Sequence, residues 1–164
     1  MNNIIIITGS INSGKTTFLQ KQIQLRNDVK GILTPKINGQ RFFKNIETSE
    51  FFEMEDEVKK EDSICIGKYF FNNLSFNKAI KIIHNSIESN FIIIDEIGHL
   101  ELKEEGFYFA LNFLLNNLNK SKKIILVIRE NLLDIVIEKF KIKNKILNVI
   151  NVTIKIDSQQ SIFN

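Results

Sequence analysis

The sequence predicts an α/β fold in which a mostly parallel sheet is covered by helices on both faces. Three observations predict it. The continuous apolar runs Ile4–Ile7, Phe91–Ile94 and Ile124–Ile128 suit strands buried on both faces. Segments with helical apolar spacing lie between such runs, and strands alternating with helices imply a parallel sheet. A glycine-framed turn, Gly9 to Gly14, follows the first run.

Ile4–Ile7 is the first strand. After the turn, Phe18, Leu19, Ile23 and Leu25 suit a helix packed against it. Val29 to Ile37 reads as a second strand closed by Pro35, which has no N–H to donate to a ladder. Gln40 to Asp56 alternates imperfectly and is rich in Phe, which predicts an antiparallel hairpin inserted beside the main sheet. Phe76, Ala79, Ile80, Ile83 and Ile87 form the apolar stripe of an amphipathic helix. Phe91 to Asp95 is a buried strand ending in an acid. Phe107, Leu111, Leu114, Leu115 and Leu118 mark a further helix. Lys122 to Ile128 is the next strand, and Leu132, Leu133, Val136, Ile137 and Phe140 mark a short helix after it. Ile150, Val152, Ile154 and Ile156 alternate with polar residues, which predicts a last strand near an edge. Residues from about Ser158 read as a loose tail, and 1–164 as a single domain.

Composition narrows the class. Of 164 residues, 43% are hydrophobic and 25% charged, ordinary values for a globular chain. The net charge is +3, carried by lysines and the three arginines Arg26, Arg41 and Arg129. Lys, Asn and Ile are all abundant, a set encoded by AT-rich codons, so the lysine excess reads as genomic bias and no nucleic-acid partner is expected. Lys139, Lys141, Lys143 and Lys145 read accordingly as a solvated rim. Cys65 is the single cysteine, which excludes an internal disulfide; between Ile64 and Ile66 it reads as a small buried hydrophobe. The first residues lack the basic start and apolar stretch of a signal peptide, and no apolar run approaches membrane-spanning length. The expectation is a cytoplasmic protein with no membrane partner.

The turn carries the chemistry. Gly9-Ser10-Ile11-Asn12-Ser13-Gly14-Lys15-Thr16 matches G-x-x-x-x-G-K-[ST], the P-loop or Walker A motif, and sits between a strand and a helix. A polyphosphate must be wrapped by backbone N–H groups where side chains would collide, and Gly9 and Gly14 permit such dihedrals. Asn12 and Ser13 complete the cradle. The N-terminus of the following helix favours the anion. Lys15 supplies a cation for the β- and γ-phosphates, the Thr16 hydroxyl suits Mg²⁺, and Thr17 suits the α-phosphate. The ligand implied is a polyphosphate, with Mg²⁺ as cofactor.

A P-loop needs a partner carboxylate for the metal, the Walker B acid, at the end of a buried strand next to the loop strand. Asp95 fits that place. Glu96 is then positioned to orient, or take a proton from, the water that attacks the γ-phosphate. Arg129 directly follows a strand; it either reaches the γ-phosphate as a catalytic cation or is a surface arginine paired with Glu130 or Glu138. His99 reads as a hydrogen-bonded loop residue.

"GSINSGKTT", "KGILTP", "GKYFF" and "IIIDEIGHLEL" together resemble the small P-loop nucleoside-triphosphatase family of the cancer-related nucleoside-triphosphatase type. The motifs span Gly9 to Leu102 in the family's order, and the tail with Arg129-Glu130 is also similar. The resemblance implies a RecA-like domain that hydrolyses ATP, GTP and other nucleoside triphosphates slowly with Mg²⁺. It implies phosphate and metal contacts for Lys15 and Thr16, Mg²⁺ binding for Asp95 and water activation for Glu96. Gly98 and Glu101 match the family motif without an assigned role. Two positions depart from it: Pro35-Lys36 follow Thr34 where an acid is common, and Arg41-Phe42-Phe43 lacks an expected glycine.

Two other functions fit a P-loop: a small-molecule or nucleotide kinase, and a nucleotide-gated accessory protein whose partner the sequence does not name. A kinase lid usually carries clustered arginines, and these three are scattered. Asn77-Lys78-Ala79-Ile80 and Asn144-Lys145-Ile146-Leu147 both lack the Asp of the guanine-reading N-K-x-D, which predicts weak base discrimination.

Overall fold

A computed structural model describes residues 3–67, 69–117, 119, 121–153 and 161–163. Strands β1 (Ile4–Gly9), β2 (Val29–Leu33), β9 (Phe91–Ile97), β10 (Lys123–Arg129) and β11 (Ile146–Asn151) lie parallel in the order β11-β1-β10-β9-β2. β4 (Gln40–Asn45) extends this sheet antiparallel to β2. β3 (Lys36–Ile37) pairs with the start of β4, and β5 (Phe51–Glu53) also pairs with β4. A small second sheet joins β6 (Glu55–Asp56), β8 (Tyr69–Phe71) and β7 (Ile64–Ile66), all antiparallel. The helices are α1 (Lys15–Ile23), α2 (Asn73–Asn85), α3 (His99–Leu102), α4 (Tyr108–Asn117) and α5 (Leu133–Lys139).

The isoleucine runs work as their composition predicts. Alternate residues of each central strand point to opposite faces. Ile4, Ile6, Ile92, Ile94, Ile124 and Leu126 join a core with Phe76, Ala79 and Ile83 of α2, Leu111 and Leu114 of α4 and Val136 of α5. Ile5, Ile7, Ile93, Ile125 and Val127 face Leu19 of α1, together with Ile162 near the C-terminus. Burial of each such isoleucine is worth about 2 kcal/mol.

Gly31 of β2 pairs with Ile93 of β9 at φ +114°, and a Cβ there would stand 2.1 Å from the Ile93 carbonyl oxygen, so only glycine fits. Thr34, just past the end of β2, lies against the end of β9, where its N–H donates to Asp95.

Several sequence-based expectations need correction. β1 and β9 are not neighbours; β10 lies between them, because β1 pairs with β10 and β10 with β9. Leu25 lies past the end of α1 and is 98% exposed, so it packs on none of the described elements. Cys65 is exposed: β7 belongs to the small sheet, so alternation buries only one of its faces. The antiparallel hairpin expected over Gln40 to Asp56 is present as β4 and β5, joined to the main sheet through β4, while β6 leaves it for the small sheet. The last strand starts at Ile146 rather than Ile150 and does lie at the sheet edge, with Val152 past its end. Ile154 and Ile156, Leu118 and residues 158–160 lie outside the described residues.

Candidate active site

The glycine turn closes as its dihedrals require. Gly9 has φ +150°, Asn12 +60° and Gly14 +89°. A Cβ at Gly9 would stand 2.7 Å from Ser13 Oγ. Ser13 N–H donates to the Ser10 carbonyl at 3.2 Å, and Ser10 N–H donates to Thr153 Oγ1 at 2.8 Å, which ties the loop to the segment after β11. The first-turn amides of α1 have no helical partner, and no first-turn residue is acidic. The helix mouth is therefore built to receive an anion.

Lys15 is 6% exposed, and its Nζ donates to the Gly9 and Ser10 carbonyls at 3.1 and 2.8 Å. Burial lowers its pKa from the ordinary lysine value; the Glu96 and Asp95 charges oppose this, and Arg129 adds to it. The ammonium thus faces two carboxylates across the loop.

Asp95 is buried. Its Oδ2 accepts from Thr16 Oγ1 at 2.7 Å and from the Thr34 backbone N–H at 3.0 Å. Its Oδ1 is buried with no hydrogen-bond partner. Burial pushes its pKa up to about 6 despite the bonds from Thr34 and Thr16, and the Glu96 charge adds to the rise. A carboxylate oxygen left unpaired beside a threonine hydroxyl is a hard donor set that could hold a small divalent cation. Among the described residues no group of three or more His, Cys, Asp or Glu is arranged to hold a metal ion. Mg²⁺ commonly needs only one or two protein oxygens, the rest coming from substrate phosphates and water.

The two acids sit at an irregularity in the sheet. Leu126 pairs with Ile94 and Ile128 with Ile97, so β9 carries one extra residue across Asp95 and Glu96. Such a bulge re-aims side chains at a strand end. Glu96 Oε1 accepts from Arg129 Nε at 2.5 Å, with both side chains about a quarter exposed. The Arg129 partner is thus Glu96, rather than Glu130 or Glu138.

A cleft of about 480 Å³ collects these groups. Asn12, Ser13, Gly14, Lys15, Thr16, Thr17, Glu96 and Arg129 all line it. Gly9 and Asp95 lie just behind, acting through Lys15 and Thr16. His99 is exposed and lines the cleft too.

Two further groups line the cleft, and the sequence assigned neither a role. The Thr34 amide is a backbone donor brought in by β2. Glu101 is 2% exposed; its Oε2 accepts from Gly98 N–H at 2.7 Å and its Oε1 from Phe107 N–H at 2.8 Å. This side chain clamps the segment after β9 to the start of α4. Burial pushes its pKa up to about 7, against the pull of both amides. Gly106 has φ +58°, and a Cβ there would stand 2.4 Å from Glu101 Oε1. Its signal in the sequence is an acid three residues after a glycine at a helix start, within the motif that carries the resemblance.

The sequence model of a family described as NTPase matches residues 4–161. The solved structure of THEP1 from the hyperthermophile Aquifex aeolicus superposes with a TM-score of 0.73 at 20% identity, covering 92% of this chain and 90% of that one. The solution structure of a human cancer-related nucleoside triphosphatase superposes with a TM-score of 0.69 at 21% identity, covering 93% of this chain and 90% of that one. No curated protein sequence matches the chain.

Proposed function

The chain belongs to the NTPase family and is a nucleoside-triphosphatase of P-loop fold, and from that premise we propose that it hydrolyses ATP, GTP and other nucleoside 5′-triphosphates to diphosphate and phosphate with Mg²⁺. The hydrogen bond from Thr16 to Asp95 carries this reading, because it joins the phosphate loop to the acid pair.

The amides from Ser13 to Thr17 cradle the α- and β-phosphates. Lys15 leaves the Gly9 and Ser10 carbonyls for the β- and γ-phosphates. Thr16 and Asp95 would hold the metal, whose positive charge would offset the charge that develops on the transferred group. Glu96 accepts a proton from the attacking water. The water oxygen bonds to the γ-phosphorus as the bond to the β–γ bridging oxygen breaks, and the diphosphate leaves. Arg129 is a second cation for the γ-phosphate, and its bond to Glu96 orients that base.

Weak discrimination among bases is part of the proposal, as is a single domain over 1–164. Among the described residues no helix is long and apolar enough to cross a membrane. A reducing cytoplasm suits a chain with one exposed cysteine and no second to pair with.

Phosphate release from a panel of nucleoside triphosphates, with and without Mg²⁺, tests the reading. Lys15→Ala serves as the blank. Release that is equal in the blank, or indifferent to Mg²⁺, would overturn it; a strict preference for one base would overturn the claim of weak discrimination.

A further inference from the structure

The hairpin of β3 and β4 carries two cations that the hydrolytic mechanism leaves unused. Asn38 and Gly39 join the two strands with φ +50° and +88°. Positive values at both residues of an Asn-Gly loop are those of a type I′ turn, which fixes the strand register. Ile37 accordingly pairs with Gln40, and Lys36 with Arg41. One step further from the turn, the Phe42 N–H donates to the Pro35 carbonyl at 3.0 Å. Lys36 and Arg41 thus occupy a non-hydrogen-bonded position of the ladder, where opposite side chains leave on one face and stand closest.

Like charges set directly opposite each other destabilise a hairpin. Glu55 of β6 balances one of them. Its carboxylate lies 3.5 Å from Arg41 Nε, and the guanidinium lies over the Tyr69 ring, 5.3 Å from its centroid. The Arg41 side chain is still 28% exposed. Lys36 is exposed, and among the described residues no carboxylate pairs with it. One positive charge is left over on the pair. Both residues line the nucleotide cleft, so the face they share is one that a ligand meets.

Chain connectivity sets where along the nucleotide this charge acts. The Thr34 N–H donates to the same Asp95 oxygen that accepts from Thr16. Lys36 follows two residues later, within about 7 Å of Thr34 along the backbone. Thr16 and Asp95 mark the metal end of the loop, and the metal of a P-loop bridges β- and γ-oxygens. The hairpin therefore stands at the terminal-phosphate end of the site.

We propose that Lys36 and Arg41 bind the terminal phosphoryl group of the nucleotide, meeting the γ-phosphate from the hairpin while Lys15 meets it from the loop. An anion between the two cations cancels the repulsion that the turn builds in. A triphosphate reaches the pair and a diphosphate does not. The inference rests on the nucleotide placement above.

The test is calorimetric titration of the full chain, with Mg²⁺, by a non-hydrolysable ATP analogue, by ADP and by inorganic phosphate, with thermal unfolding of the ligand-free protein beside it. Lys36→Ala should weaken the analogue by about tenfold, the worth of one hydrogen bond to a charged group, and ADP by no more than about twofold. Arg41→Gln should show the same selective loss, and Lys36→Arg should keep most of the affinity. Lys36→Glu should bind the analogue more weakly still yet unfold at a higher temperature, because a carboxylate opposite Arg41 stabilises the hairpin. A merely structural lysine would move both readings the same way. Equal losses for the analogue and ADP would place the pair at the inner phosphates, and a loss confined to inorganic phosphate would make it a separate anion site; either result overturns the proposal. Unchanged affinities in every variant, while Lys15-dependent phosphate release continues, would overturn it and leave the hydrolase reading standing. Wild-type protein that bound none of the three ligands would overturn both.

Discussion

Thr16 Oγ1 donates to Asp95 Oδ2 at 2.7 Å across 79 positions of sequence. The bond fastens the first turn of α1 to the end of β9 and leaves Asp95 Oδ1 buried and unpartnered. Asp95→Asn keeps the shape and removes the charge. Phosphate release should fall by about 10²–10³-fold, and the Mg²⁺ dependence of nucleotide binding should weaken. Calorimetric titration of nucleotide with and without Mg²⁺ checks this; an unchanged metal response would take Asp95 out of the metal site.

Glu96 and Arg129 share one short hydrogen bond. Glu96→Gln should lower kcat by about 10²–10⁴-fold while nucleotide binding survives. A double-mutant cycle divides the role of Arg129. If Arg129 acts only by orienting Glu96, Arg129→Ala should cost nothing further in the Glu96→Gln background. We expect a further loss in kcat, because the proposed cation also meets the γ-phosphate.

Glu101 should make stability depend on pH. Its folded pKa is raised to about 7 by burial, above the ordinary 4.5. The folded state therefore holds its proton more tightly than the unfolded one. This contribution is full below about pH 4.5 and is lost as pH rises through about 7, a change of up to roughly 3 kcal/mol. Asp95, raised from 3.8 to about 6, contributes in the same sense over a lower window. Urea midpoints of the nucleotide-free protein between these pH values should fall as pH rises, and Glu101→Gln should flatten the upper part of the curve. The variant should also lose stability at every pH, because an amide NH₂ would face the Gly98 or Phe107 N–H.

Gly31→Ala tests the glycine requirement where β2 pairs with β9. The new methyl would stand 2.1 Å from the Ile93 carbonyl oxygen, on backbone at φ +114°. The cost should exceed about 4 kcal/mol, in the range reserved for such clashes. Thermal unfolding would show a loss of roughly 10 °C or more, and the Thr34 amide would lose its place beside Asp95.

What the sequence determined by itself is local. The P-loop is eight contiguous residues whose glycines meet a dihedral requirement, so its shape and chemistry are readable along the chain. The central strands are legible because burial on both faces demands unbroken apolar runs. Asp95 and Glu96 are legible as acids ending such a run. Tertiary structure decided what depends on partners far away in the chain. β10 separates β1 from β9, since strand order depends on how the crossovers pack and not on the strands' own composition. Glu96 meets Arg129 from 33 positions away, and the Thr34 amide reaches Asp95 from 61. Cys65 sits among isoleucines yet is exposed, because exposure follows from which face of the small sheet is covered. The role of Glu101 needs the approach of Phe107 at the start of α4. Each is set by the close packing of elements that touch only once folded, and residue type alone carries no record of which surfaces will meet.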